Sequence, residues 1–300
     1  MKNITAIGDI IFDVYTGYKK MGGASLNFIY HINKLTWNGT LISRVGNDSL
    51  GKEALEFLGK NNLPLCYIQV DNLHETGVAF ANLDHNKIPH WEIPPESAYD
   101  FMDIPADRDK IIENTSCLYF GSLAQRMEKS RAAVRSFFGG NTKYFFDINI
   151  RQNYYTKDIL EMSLRATDVL KANDEELYLL HKMFLPGKFE LNLSVSAIME
   201  EFNIELTAVT MGDKGAWLIK NNESNFYKAT VNEIVDTTGA GDAYSAILCL
   251  GYLNNMEPNK INKLASDFAT EIVKLPGAIP RDETLYEKFR LFFPSVLCPL

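Results

Sequence analysis

Three hundred residues, 46% apolar and 23% charged, are enough for a large core and exclude a disordered chain, a collagen-like fibre and a disulfide miniprotein. Thirty Lys and Arg against 38 Asp and Glu leave a net charge of −8, which argues against nucleic acid or an anionic membrane as a whole-surface partner. The four cysteines (Cys66, Cys117, Cys249, Cys298) are scattered without a C-x-x-C, the pattern of reduced thiols in a cytoplasmic protein.

The chain opens on a short buried strand at residues 4–7, ending at Gly8. Asp9 and Asp13 interrupt any signal-peptide core there. Residues 24–35 have helical spacing, with Phe28, Ile29, Ile32 and Leu35 on one side. Gly23, Asn27 and His31 lie four apart on another face, which for His31 reads as a solvated polar face. A strand at 40–45, a turn and a helix at 50–58 capped by Ser49 follow. Further strands are expected at 118–120, 144–148, 169–171 and 208–210, most of them followed by helical patterns. The uncharged apolar run at 243–253 is too short for a membrane span, which takes about 20 residues. This alternation predicts an α/β sandwich with a mainly parallel sheet.

Two stretches break the rhythm. Residues 12–21 and 77–93 are extended without an intervening helix, and 78–83, a turn at Asp84-His85-Asn86 and 88–93 read as a hairpin. A small antiparallel sheet inserted into the α/β body would serve as a lid.

Two familiar motifs fail. Gly46 to Lys52 nearly spells a P-loop, but Glu53 stands where a magnesium-binding hydroxyl belongs. Gly239-Ala240-Gly241 begins a dinucleotide fingerprint, but its last position falls on Tyr244. The five histidines (31, 74, 85, 90, 181) have no metal-ligand spacing.

The strongest signal is Asp236-Thr237-Thr238-Gly239-Ala240-Gly241-Asp242, opening directly into an apolar helix. The first amides of a helix have no intrahelical acceptor and sit at the positive end of its dipole. Glycines let those amides approach an anion, so the turn suits the charge on a transferring phosphoryl group. Asp242 has two readings: a partner for the helix dipole, or a base for an attacking hydroxyl.

DTTGAGD resembles the C-terminal signature of the ribokinase-like (PfkB) carbohydrate kinases. Gly22-Gly23-Ala24 with Asn27 is similar to the family's N-terminal glycine pair and sugar-binding asparagine, and Asp13 to its early sugar-hydroxyl aspartate. Ile42 to Gly51, Asp147-Ile-Asn149-Ile-Arg151, Lys171-Ala-Asn173-Asp-Glu175-Glu176 and Thr210-Met-Gly212-Asp-Lys-Gly215 follow in family order, so the resemblance covers essentially the whole chain. Thr76-Gly77, Gly121 to Arg126 and the DINIR block look most like the fructokinase branch.

The resemblance implies one ribokinase-like kinase domain over 1–300, a three-layer α/β/α sandwich with a mainly parallel central sheet and a small β-sheet lid at 12–21 and 77–93. It implies an ATP-dependent sugar kinase, fructose leading, with ribose, 2-keto-3-deoxygluconate or a nucleoside as alternatives. A non-catalytic sugar- or nucleotide-binding homologue is the alternative of a different class. Asp242, Gly239, Ala240, Gly241 and Arg151 would carry catalysis. Asp13, Gly22, Gly23, Asn27, Asn149, Arg151 and Asp242 would hold the sugar.

The nucleotide would meet Asn173, Glu176, Thr210, Gly212, Gly215, Gly239 and Gly241, with adenine between this segment and the loop at about 272–277. Magnesium would be held by Glu176 through water, and a monovalent cation such as K+ by Asp236, Thr238 and backbone carbonyls. Local physics gives simpler readings as well. Asn173 and Glu176 have capping-box spacing. Asp147, Asn149 and Arg151, two apart, would share one side of a strand end. No nucleic acid or membrane partner is expected, and the exposed lid face could form a homodimer.

Overall fold

Strands covered by helices on two sides must be apolar on both faces. Tyr144, Phe145 and Phe146, three consecutive buried aromatics, have that character. The structure, a computed structural model, describes residues 3–36, 38–83, 89–221, 223–231, 233–280 and 282–293. The expected turn at Asp84-His85-Asn86 lies outside the described residues.

In chain order the elements are β1 (Asn3–Ile7), β2 (Ile11–Tyr15), β3 (Tyr18–Gly22), α1 (Ala24–Thr36), β4 (Gly39–Gly46), α2 (Ser49–Lys60), β5 (Ile68–Asp71), β6 (Gly77–Leu83) and β7 (Pro89–Glu92). Then come α3 (Arg108–Asn114), β8 (Thr115–Gly121), α4 (Glu128–Ser136), β9 (Lys143–Asp147), α5 (Lys157–Ala166), β10 (Val169–Asn173), α6 (Asp174–Phe184) and α7 (Leu191–Phe202). The chain continues with β11 (Leu206–Thr210), β12 (Ala216–Lys220), β13 (Glu223–Tyr227), α8 (Ala240–Leu253), α9 (Pro258–Val273) and α10 (Thr284–Arg290).

Among the described residues the large sheet runs β13-β12-β11-β10-β9-β8-β1-β4-β5. It is parallel from β11 to β5, and β12 and β13 add an antiparallel edge. Alternate side chains sort into two cores. Ile4, Ala6, Tyr119 and Phe145 pack with α1, α2, α8, α9 and α10. Ile7, Phe120, Phe146 and Leu170 pack with α3 to α7. The result is a three-layer α/β/α sandwich. A separate small sheet, β3-β2-β6-β7, is built from the two stretches that broke the sequence rhythm.

This arrangement sends the carboxyl ends of β1, β9, β10 and β11 to one edge, where open α/β sheets bind ligands. Among the described residues no helix is long and apolar enough to cross a membrane.

Two local expectations are corrected. The cap of α2 is Asp48 and not Ser49: its carboxylate accepts from Gly51 N at 2.7 Å, Thr76 N at 2.7 Å and Thr76 Oγ1 at 2.9 Å. A carboxylate accepts more bonds than a hydroxyl can, and these bonds hold its pKa low despite the opposing effect of burial. His31 is wholly buried, with Nδ1 2.8 Å from the Tyr286 hydroxyl. Helix α1 has no solvated face at that point because α8 and α10 also pack on it.

Asp48 thus ties the start of α2 to the base of β6. Asp48→Ala should cost about 2 kcal/mol of unfolding free energy, a lost cap plus stranded donors, read from urea denaturation.

Candidate active site

The floor of the cleft is the start of α8. Gly239 precedes the helix with φ +78°, and a Cβ there would lie 2.2 Å from Ala278 Cβ. Only glycine fits this turn. Asp236 braces it from behind: Oδ1 accepts from Thr238 N at 3.0 Å and Oδ2 from Gly277 N at 2.9 Å. The same Oδ2 receives the Lys20 ammonium of β3 at 2.8 Å. Burial pushes the Asp236 pKa up, but Lys20 and the Thr238 bonds outweigh it and hold the carboxyl below its usual range.

Beneath the turn lies a buried ion pair. Asp147, at the end of β9, faces Lys171 of β10 in register. Lys171 Nζ donates to Asp147 Oδ1 at 3.0 Å, and Tyr119 and Ser245 donate to Oδ2 at 3.2 and 3.0 Å. A Cβ on Gly241 would sit 3.0 Å from Lys171 Nζ, so the ammonium lies directly under the glycine turn. Burial lowers the Lys171 pKa, but the surrounding Asp147, Glu176 and Asp242 more than reverse this and keep it charged.

Asp242 stands in the first turn of α8, where Asn27 Nδ2 of α1 donates to its Oδ2 at 2.8 Å. Burial, aided by the charge of Asp147, raises the Asp242 pKa to about 7 against the pull of Asn27, Lys171 and Arg151. Asp13 of β2 is pushed up to about 6 by burial; Arg151 and Lys20 lower it, and Asp236 and Asp9 raise it. Asp9 caps α1, accepting from Ala24 N at 2.9 Å and Ser25 Oγ at 3.1 Å. Gly23 permits that contact: its φ is +107°, and a Cβ there would lie 2.7 Å from Asp9 O.

Glu176 and Asn173 form the expected capping box, with Glu176 N to Asn173 Oδ1 at 2.7 Å and Asn173 N to Glu176 Oε2 at 2.8 Å. Ile150 N binds the other Glu176 oxygen at 2.8 Å.

Two cavities meet at the glycine turn. One of about 380 Å³ is polar, lined by Asp9, Asp13, Asn27, Arg151, Lys171, Glu176 and Asp242, with an apolar wall of Ile11, Ala79, Trp91, Ile93 and Leu123. The other, about 270 Å³, is an apolar slot between the Thr210–Ala216 segment, Val231, Ile234 and the Ala269–Val273 side of α9. They share Thr210, Thr237 and Gly241. Volumes near 300 Å³ suit small ligands.

Most residues singled out in the sequence converge here. Asp13, Gly23, Asn27, Asn149, Arg151, Asn173, Glu176, Thr238, Gly239 and Asp242 line the polar cavity. Gly212, Gly215 and Ala240 line the slot, and Thr210 and Gly241 line both. Gly22 and Asp236 line neither; Gly22 lies behind Asp13 and Asn27.

The shared side of Asp147, Asn149 and Arg151 is corrected. Strand β9 ends at Asp147, and Asn149 adopts a left-handed φ of +42°, which breaks the two-residue period. Asp147 turns into the core while Asn149 and Arg151 reach the cleft. Sequence reasoning gave no role to Lys171, Asp9 or Trp91. A lysine on a buried strand was the available signal for Lys171.

The pfkB family carbohydrate kinase model matches residues 7–285. The chain belongs to this family. An uncharacterized sugar kinase of Pyrococcus horikoshii is 30% identical over 286 residues, 91% of this chain and 87% of that protein. Its crystal structure in complex with ATP superposes with TM-score 0.81 at 27% identity, covering 98% of this chain and 100% of that chain. A Klebsiella pneumoniae fructokinase is 26% identical over 280 residues, covering 89% of each chain. A Thermoproteus tenax 2-dehydro-3-deoxygluconokinase is 24% identical, covering 88% of this chain and 83% of its own. The fold is that of the ribokinase-like kinases, and the sugar kinase class follows from the family.

Within this kinase the raised Asp242 carboxyl has a stability consequence. Its folded pKa of about 7 exceeds the ordinary 3.8, so its contribution to stability is fully present below 3.8 and lost as pH rises through about 7. Asp242→Asn keeps the acceptor for Asn27 and removes the charge. Its thermal midpoint should exceed that of the parent by a few degrees at about pH 8, with a smaller gain at about pH 5, measured by calorimetry.

Proposed function

We propose that this kinase transfers the γ-phosphoryl of ATP to the primary hydroxyl of a small sugar, with D-fructose to fructose 6-phosphate as the first assignment. The observation that carries this reading is the position of Asp242. It is a carboxylate with a pKa of about 7, at the junction of a polar cavity and an apolar slot, on a helix start that no cap side chain satisfies. The ATP complex of the Pyrococcus horikoshii relative supports the donor, and the fructokinase relative supports the acceptor.

The sugar lies in the polar cavity against Asp13, Gly23, Asn27 and Asn149. Trp91, Ile93 and Ala79 cover its apolar face, so the small sheet acts as a lid on a single kinase domain. Adenine occupies the slot beside Thr210, Gly212, Gly215 and α9, and the phosphates cross the Gly239–Gly241 turn.

Asp242 accepts the proton of the attacking hydroxyl as the new O–P bond forms and the bond from Pγ to the β-phosphate oxygen breaks, releasing ADP. The Ala240 and Gly241 amides, Lys171 below them and Arg151 at the rim face the charge on the transferring group. Both Glu176 oxygens are fixed by backbone N–H groups, leaving outward lone pairs that fit a water of hydrated magnesium. Magnesium, when bound, neutralises phosphate charge.

The cavity holds Asp9, Asp13, Glu176 and Asp242 against Arg151 and Lys171, a balance that favours a neutral polyol over an acidic or already phosphorylated sugar. The free thiols of Cys66, Cys117 and Cys249 suit a cytoplasmic enzyme.

A coupled ADP-release assay across fructose, ribose, 2-keto-3-deoxygluconate and nucleosides should give its highest kcat/KM with fructose. Turnover with another panel member only would move the acceptor, and no turnover at all would favour the non-catalytic alternative. With the accepted sugar, kcat/KM should fall as pH drops below about 7, because the base must be ionised to take a proton. Asp242→Ala should lower kcat by about two orders of magnitude or more, with ADP affinity retained. Unchanged kcat would reduce Asp242 to a helix-dipole partner.

A further inference from the structure

The family resemblance leads one to expect a monovalent cation at Asp236 and Thr238, and the residues present do not fit one. Asp236 Oδ2 already takes the Lys20 ammonium at 2.8 Å and Gly277 N at 2.9 Å, and Oδ1 takes Thr238 N at 3.0 Å. An inorganic cation on this carboxylate would be in contact with an ammonium of like charge.

The ammonium is well held where it is. The Lys20 and Asp236 side chains are 25% and 18% exposed. The lysine stem passes over Gly277, where a Cβ would lie 3.1 Å from Lys20 Cδ. The stacked rings of Tyr15 and Tyr18 flank Nζ at 5.5 and 5.8 Å.

We propose that Lys20 is the protein's own cation at this site, so that turnover needs no monovalent metal ion. We further infer that Lys20 acts as a positioning residue, linking the small sheet to the phosphate turn. Lys20 belongs to β3 and stands directly opposite Asp13 of β2 in register. Its partner Asp236 holds the Thr238 and Gly277 amides on either side of Gly239, the residue that sets the turn.

One side chain therefore joins the strand bearing a candidate sugar contact to the loop bearing the candidate anion hole. An inorganic ion could neutralise Asp236 but could not make that connection, because an ion is not part of the β3 backbone. The charged groups facing Lys20 are Asp236 and, more weakly, Asp13.

The inference rests on the kinase reading, so its test has an arm that needs no sugar. Thermal midpoint and ADP affinity are measured for the parent, Lys20→Met and Lys20→Arg in KCl, NaCl and tetramethylammonium chloride. Rates are measured in the same salts with whichever sugar the panel identifies. The parent should be insensitive, with kcat in KCl within about twofold of that in tetramethylammonium.

Lys20→Met should lose about tenfold or more in kcat in tetramethylammonium and regain part of it in KCl. Its thermal midpoint should likewise rise with K+, because the vacated carboxylate can now take the ion. Lys20→Arg should retain most activity in every salt. A parent activated about tenfold by K+, or a Lys20→Met variant equal to the parent in all salts, would overturn the inference. If no sugar is phosphorylated, the sugar-kinase reading fails while the thermal and ADP arms still decide the role of Lys20.

Discussion

The ion pair between Asp147 and Lys171 is the constraint on which the site is built. It joins the carboxyl end of β9 to the middle of the adjacent parallel strand β10 and, through Ser245, fastens α8 to the sheet. A buried pair of this kind gives little net stability, because desolvation of both charges opposes their attraction. Its value here is placement. The ammonium lies under Gly241, and the Asp147 charge helps raise the Asp242 carboxyl toward neutrality. Removing either partner would strand the other in the core, so the pair must be kept whole.

In the proposed reading, the same pair bears on how a protein of net charge −8 holds a polyanion. The answer is local and layered. Backbone amides at the start of α8 supply partial positive charge without a side chain. Lys171 supplies a full charge from below, and Arg151 stands exposed at the rim. Meanwhile Asp13, Asp9 and Glu176 keep the rest of the cavity acidic, which suits hydroxyl groups and disfavours a second anion. Net charge records none of this, since it sums residues whose positions differ.

Legibility in the sequence followed the range of the interaction. The candidate anion turn was readable because its physics is contiguous: glycines, then a helix, within seven residues. The capping box of Asn173 and Glu176 was readable for the same reason, at a spacing of three. Helix α1 was legible as a helix but not as one buried on nearly every side, because α8 and α10 cover its second face from more than 200 residues away.

The buried pairing of Lys171 was invisible because its partner lies 24 residues away, and the pairing depends on strand register. Asn149 departed from the strand period through one left-handed residue, which asparagine tolerates and sequence does not flag. The small-sheet segments were found by their broken rhythm, but the inward face of Trp91 depended on its cross-strand pairing with Ala81.

One long-range contact organises motion in the proposed reading. A lid that only covers a sugar needs no bond to the phosphate turn. This one has a bond, through Lys20 to Asp236, spanning 216 residues of sequence. Closing a cleft expels water and strengthens every electrostatic interaction inside it. If the segment that closes also sets the loop bearing the anion hole, covering the sugar and forming the hole become one step. In that reading the coupling guards against water as an acceptor, because the turn is braced only while the small sheet stands in place. Lys20 would then sit where two requirements meet, neutralising Asp236 and linking the two halves of the site.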